Sequence, residues 1–134
     1  MVERTMKPAT GFHKLLVWQR AHQLVLLVYK LTEAFPRSEM FGLTSQLRRA
    51  IVSVPANIAE GYAAGGKLQF ERYLKIARGS LAEVEYYLVL ARDLDYLGET
   101  RLEEAENLRA EVGYLLHRLC NRWITDRVPD ASSV

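Results

Sequence analysis

The sequence predicts an all-α chain folded as an antiparallel up-and-down four-helix bundle, and three observations carry that reading. Apolar residues recur three and four apart in four long segments. The links between those segments are short, which favours antiparallel neighbours. No run alternates β-branched residues with polar ones in the way a half-buried strand requires.

Each segment has its own seam. Helix 1 is expected over residues 15–35, with Val17, Ala21, Leu24, Val28, Leu31 and Phe35 on one face, and Pro36 pushing the residue before it out of the helical region. Helix 2 is expected over 43–61, with Leu43, Leu47, Ala50, Val54 and Ile58 as its seam. Pro55 lies inside it. A kink there fits best, because the apolar spacing passes through the proline unchanged; a break with Ser53 capping a second segment is the alternative. Residues 61–66, Gly-Tyr-Ala-Ala-Gly-Gly, read as a flexible turn. Helix 3 is expected over 68–97. Phe70, Leu74, Ala77, Leu81, Val84, Leu88 and Ala91 form its first seam, and Tyr73, Ile76, Ser80, Glu83, Tyr87, Leu90 and Leu94 a second. Gly98 is expected to stop it as a C′ glycine. Thr100-Arg101-Leu102-Glu103 matches a capping box, so helix 4 starts there, with Leu102, Ala105, Leu108, Val112, Leu115, Leu119 and Trp123 inward. The expected organisation is thus a flexible N-terminal arm over 1–14, the bundle over 15–127 and a disordered tail over 128–134.

Composition excludes several classes. A chain of 134 residues suits one domain, and 49% apolar with 25% charged residues is a globular balance. Eighteen Lys and Arg against sixteen Asp and Glu leave a net charge of +2, too small to argue for nucleic acid by itself. Cys120 is the single cysteine, so no intrachain disulfide is expected, and a buried thiol without a role is its plain reading. The opening residues lack the apolar core of a signal peptide, and the longest apolar run of helix 1, residues 24–29, is far short of a membrane span. A cytoplasmic location, with no membrane association, is expected.

Catalytic and metal chemistry is not expected. A di-metal carboxylate bundle needs Glu-x-x-His pairs, and none of His13, His22 and His117 has a Glu three positions before it. Gly65-Gly66-Lys67 lacks the spacing of a phosphate-binding loop, and no Gly-x-Ser-x-Gly elbow occurs. His117 and Cys120 are three apart on a helix, but Leu116, Leu119 and Trp123 suggest a packed setting for them.

Three features remain for function. Gln46, Arg49, Ser53, Asn57 and Glu60 share one face of helix 2. That face is either solvated or a polar contact between subunits or along a channel. Glu83 falls inside the second seam of helix 3. If buried it needs a partner, and an arginine of helix 2 is the natural one; otherwise it stands at the bundle rim and reaches water. Basic residues cluster weakly: Arg48 and Arg49 on helix 2, Lys67, Arg72, Lys75 and Arg78 on the first half of helix 3, and Arg118, Arg122 and Arg127 late in helix 4. In a ring of copies such a patch would be repeated and could attract phosphate backbones.

The residues that carry a family likeness are Val17-Trp18-Gln19-Arg20-Ala21, Phe35-Pro36, Glu39, Phe41-Gly42-Leu43, Gln46-Leu47-Arg48-Arg49-Ala50, Ser53-Val54-Pro55, Asn57-Ile58-Ala59-Glu60-Gly61, Gly79-Ser80-Leu81 and Glu83. With them the chain resembles the bacterial 23S rRNA intervening-sequence proteins, also called four helix bundle proteins, closely over 15–97 and loosely in helix 4. The resemblance implies an up-and-down bundle that assembles as a homopentameric ring, with no known catalysis and no cofactor. A distant relative, the accessory protein of diversity-generating retroelements, works with a reverse transcriptase and nucleic acid. The resemblance therefore suggests RNA or DNA as a partner, and a protein such as a polymerase or reverse transcriptase as the alternative. The motif positions carried over are Glu39, Gly42, Gln46, Arg49, Ser53, Pro55, Asn57, Glu60, Gly61, Gly79, Ser80 and Glu83. Tyr86 and Tyr87 depart from the pattern, standing where smaller polar residues are expected.

Overall fold

A computed structural model describes residues 11–127, with side chains described through residue 121. The expectations for residues 1–10 and 128–134 lie outside the described residues. Four α-helices follow one another: α1 over Leu16–Thr32, α2 over Leu43–Ala64, α3 over Lys67–Asp93 and α4 over Glu99–Arg127. Short 3-10 turns at Gly11–Lys14 and Arg37–Glu39 precede α1 and α2. Helices α1 and α2, α2 and α3, α3 and α4, and α4 and α1 pack together, so the four close around one core. The last four residues of the expected arm, Gly11–Lys14, are a helical turn whose Phe12 carbonyl accepts from the Leu15 amide at 3.0 Å.

The expected seams of α1 and α2 and the first seam of α3 are buried as read, whereas the second seam of α3 is not. There only Ser80 is buried, Tyr73, Tyr87 and Leu90 are half-buried, and Ile76, Glu83 and Leu94 are exposed, because that side of α3 meets no other helix fully. In α4 the inward line is different: Ala105, Val112, Leu116 and Cys120 are buried, while Leu108, Leu115 and Leu119 lie half-buried at its edges. This rotation is invisible in α4 itself, because Leu115 and Leu116, or Leu119 and Cys120, satisfy helical spacing equally well. Contact with α1 and α3 chooses between them.

The helix boundaries correct four expectations. Helix α1 stops at Thr32, three residues early. The amides of Glu33, Ala34 and Phe35 bond back to Lys30, Leu31 and Thr32 with tight i−3 geometry, which carries Phe35 into the core ahead of Pro36. Helix α2 runs through Pro55 unbroken, as the kink reading required of its continuity, and extends past Gly61 to Ala64. The reversal belongs to Gly65 and Gly66 alone, at φ +79° and +84°. Helix α3 ends at Asp93, and Asp95 at φ +62° takes the C′ position expected of Gly98. The amide of Tyr96 bonds the Ala91 carbonyl at 2.8 Å and that of Asp95 bonds Arg92 at 2.9 Å, the paired bonds of a Schellman motif. Gly98 instead precedes α4, its carbonyl accepting from the Leu102 amide, so the helix begins at Glu99, one residue before the expected capping threonine.

Candidate nucleic-acid interface

The positions singled out by the motif divide into those that hold the protomer together and those that face outward. Glu39 belongs to the first group. One carboxylate oxygen accepts from the Leu43 amide at 3.0 Å, capping α2, and the other accepts from the Tyr96 hydroxyl at 2.9 Å. These bonds tie the α1–α2 connection to the α3–α4 connection. The backbone bond first and the Tyr96 bond second hold the Glu39 carboxyl below the usual range, and the same contact raises the Tyr96 phenol. Gly42 leaves room for this arrangement: a Cβ there would stand 2.6 Å from Glu39 Oε1 and displace the carboxylate from its bonds. Gly61 has a matching reason: its missing Cβ lets α2 approach α3, where the methyl would sit 2.7 Å from Tyr73 Cβ.

Ser53, Asn57 and Ser80 form a polar cluster between α2 and α3. The Ser53 and Ser80 hydroxyls are 2.8 Å apart, and Asn57 Nδ2 donates to the Ser53 carbonyl at 2.7 Å and to its Oγ at 2.9 Å. Thus two of the five residues of the helix 2 stripe, which spacing leaves as solvent or contact, turn inward along the α2–α3 groove. Buried Pro55 lies beside them. Gln46, Arg49 and Glu60 remain exposed, as do Gly79 and Glu83 on α3. Glu83 accepts from the Tyr87 hydroxyl at 3.3 Å and pairs with no α2 arginine among the described residues, so the rim placement holds. Exposed Val52, Ile76 and Tyr86 accompany these polar groups on α2 and α3.

The six candidate basic residues are not one surface. Arg48 is committed to α1: Nε donates to Thr32 Oγ1 at 2.8 Å, Nη2 to the Tyr29 carbonyl at 3.3 Å, and the guanidinium lies 4.5 Å from the Tyr29 ring centroid. It satisfies the end of that helix, as a cation near a C-terminus does. Arg49 is exposed near Tyr87. Lys67, Arg72, Lys75 and Arg78 are exposed along the first half of α3. Of these, Lys75 pairs with buried Glu71 at 3.5 Å, and Arg78 lies near the Cys120 thiol. Burial raises the Cys120 thiol above its ordinary range, and His117 bonds Asn121 at 3.0 Å rather than the thiol.

Up-and-down topology gathers charge that the sequence disperses. The start of α1, the end of α2, the start of α3 and the later part of α4 lie at one end of the bundle. Lys14 Nζ sits 5.7 Å from the Tyr62 ring, Tyr62 meets Phe70 edge-on at 6.0 Å, and a groove of about 700 Å³ is lined by Leu15, Leu16, Val17, Leu115, Arg118 and Leu119. Residues 11–21, 54–80 and 113–121 make up this end. They carry seven cations (Lys14, Arg20, Lys67, Arg72, Lys75, Arg78 and Arg118) against two carboxylates, Glu60 and Glu71, and a third, Glu111, reaches in from the preceding part of α4 to pair with Arg20 at 2.9 Å. The remaining residues whose side chains are described, 22–53 and 81–112, hold seven cations against eleven carboxylates. A near-neutral chain is therefore a polarised bundle with one basic end.

Among the described residues no three His, Cys, Asp or Glu side chains converge as a metal site would require, and no helix is long and apolar enough to cross a membrane.

A search of curated proteins finds no match. Among solved structures, the chain is similar to a Bacteroides thetaiotaomicron protein of unknown function from the S23 ribosomal protein family. The two share 24% identity at a TM-score of 0.72, over 79% of this chain and 96% of that one, a likeness of fold. The sequence model of the 23S rRNA-intervening sequence proteins matches residues 13–118, most of the chain including all but the last part of α4, and the protein belongs to that family.

Proposed function

We propose that this protein acts by assembling with copies of itself and binding nucleic acid, without catalysing a reaction. The observation that carries the binding is the basic end, where Lys14, Lys67, Arg72 and Arg118 are exposed and cations outnumber carboxylates. Phosphate backbones are attracted to such a surface, and each neutralised phosphate releases counterions and steepens the salt dependence. The outer face of α2 and α3 supports assembly. Gln46, Arg49, Glu60, Gly79 and Glu83 are exposed there, and Val52, Ile76 and Tyr86 stand exposed beside them. Copies packed side by side through that face, as in a pentameric ring, bring their basic ends to one rim and multiply a modest charge.

The test is light scattering on a sizing column with and without RNA, joined to retention on immobilised RNA across a salt series. A multimer that binds RNA and releases it as salt rises is expected. The Lys67→Glu, Arg72→Glu double variant should elute at lower salt. A lone protomer at micromolar concentration would remove the assembly, and retention unchanged by the double variant would remove the basic end as the binding surface.

A further inference from the structure

One group of side chains at and beside the basic end, anchored to the core by Trp18, plays no part in the charge argument. Phe12, His13, Trp18 and His22 form a continuous run of rings where the chain enters α1. Phe12 and His13 stack at 4.1 Å between centroids and 22° between planes. Trp18 meets both, at 5.0 Å and 5.1 Å, and His22 lies parallel to Trp18 at 5.2 Å and 5°. The inward seam of α1 is carried by Val17, Ala21 and Leu24, so Trp18 and His22 sit one position off it. Trp18 and Phe12 are half-buried and fix the run to the bundle, while the imidazoles of His13 and His22 are exposed. Gln19 Nε2 donates to the His13 carbonyl at 2.8 Å and holds the entering turn against α1.

The geometry points to this run as a stacking site for unpaired nucleobases of single-stranded RNA or DNA. The inference rests on the nucleic-acid reading above and adds to it the class of nucleic acid. Exposed imidazoles at the ends of a ring run beside cations suit a single strand: the cations track its phosphates, and its bases stack on aromatic planes without regard to sequence. Lys14 is adjacent in the chain, and Lys67 starts the helix whose Phe70 touches Tyr62, the ring beneath Lys14. A duplex is excluded from this mode because its bases are already stacked on one another and offer only edges.

The full chain tests this with three probes: a short oligouridylate, a phosphodiester chain of equal length without bases, and a duplex. In a Trp123→Phe background Trp18 is the sole tryptophan, and its emission should be quenched by the oligouridylate but not by the abasic chain. Anisotropy of labelled probes gives a second measurement that needs no tryptophan change. The His13→Ala, His22→Ala double variant alters two exposed side chains and should weaken oligouridylate binding by about tenfold. Its affinity for the abasic chain should not change. Equal binding of the oligouridylate and the abasic chain, with no effect of the double variant, would overturn the stacking site and leave the basic end standing. Binding of none of the three probes would remove the nucleic-acid reading and this inference together.

Discussion

The same substitution, glycine to alanine, should have opposite signs at two positions of the α2–α3 hairpin. Replacing a glycine inside a helix by alanine gains about 1 kcal/mol from the lower backbone entropy of the unfolded chain. At Gly79, exposed in the middle of α3, an added Cβ meets nothing of its own protomer within 4 Å, so in the unassembled protomer the gain stands alone. At Gly61 the added Cβ falls 2.7 Å from Tyr73 Cβ and 3.1 Å from Phe70 Cδ1. Carbon atoms prefer a separation of about 3.5–4.0 Å. Tyr73 Cβ moves only with the backbone of α3, so the two helices must part by nearly ~1 Å. Overpacking of this kind costs about 1–3 kcal/mol, and a clash with a rigid atom belongs in the upper part of that range. Less the helical gain, Gly61→Ala should lose about 1–2 kcal/mol and Gly79→Ala should gain about 1 kcal/mol, a gap of roughly 2–3 kcal/mol between them. Urea unfolding followed by circular dichroism measures both. Protein concentration must be fixed, because self-association adds to apparent stability. Gly61→Ala at or above wild-type stability would refute the close approach as the reason for this glycine. A loss at Gly79 would refute the reading of an open helix surface.

Two further outcomes follow from the side-chain contacts. Because the Glu39 carboxyl titrates below its ordinary value in the folded protein, the unfolded chain binds more protons in the acid range; stability from this lock is present above the ordinary carboxylate pKa and falls away as pH drops through the lowered one. Raised Tyr96 has the complementary limit, contributing below the ordinary phenol pKa and losing that contribution as pH rises through the raised one. Thermal melts across pH should therefore show Glu39→Gln with a shallower acid limb than wild type and Tyr96→Phe with a shallower alkaline one; unchanged limbs would show that the lock contributes nothing. Arg48→Ala removes two hydrogen bonds and a ring contact at the end of α1, and should lower stability by about 1–2 kcal/mol in urea unfolding. Retention on RNA should be unaffected, and a loss of retention without a loss of stability would return Arg48 to the binding surface.

Much of this protein is written in its spacing. The seams of α1 and α2, the first seam of α3, the passage of α2 through Pro55 and the up-and-down order follow from apolar periodicity and short links, because one buried face per helix is enough to specify them. Spacing fails where two answers are equally periodic, as with Leu115 and Leu116 in α4. It fails also where a local signal is overridden: Asp95 rather than Gly98 closes α3, since folding Tyr96 back onto Phe35 and Glu39 outweighs the strain of a left-handed aspartate. The motif glycines and carboxylate are legible only as a pattern; their reasons, a 2.6 Å approach to Glu39 at Gly42 and a 2.7 Å approach of α3 at Gly61, exist only in the folded chain. The candidate site shows the same division. Arg48 and Lys67 look alike along the chain, yet one is half-buried and caps a helix and the other is exposed. Composition determines a net charge of +2 and nothing about where it lies. Antiparallel packing decides that, by placing the starts of α1 and α3 beside the ends of α2 and α4, so that cations far apart in sequence share one end while the carboxylates collect at the other.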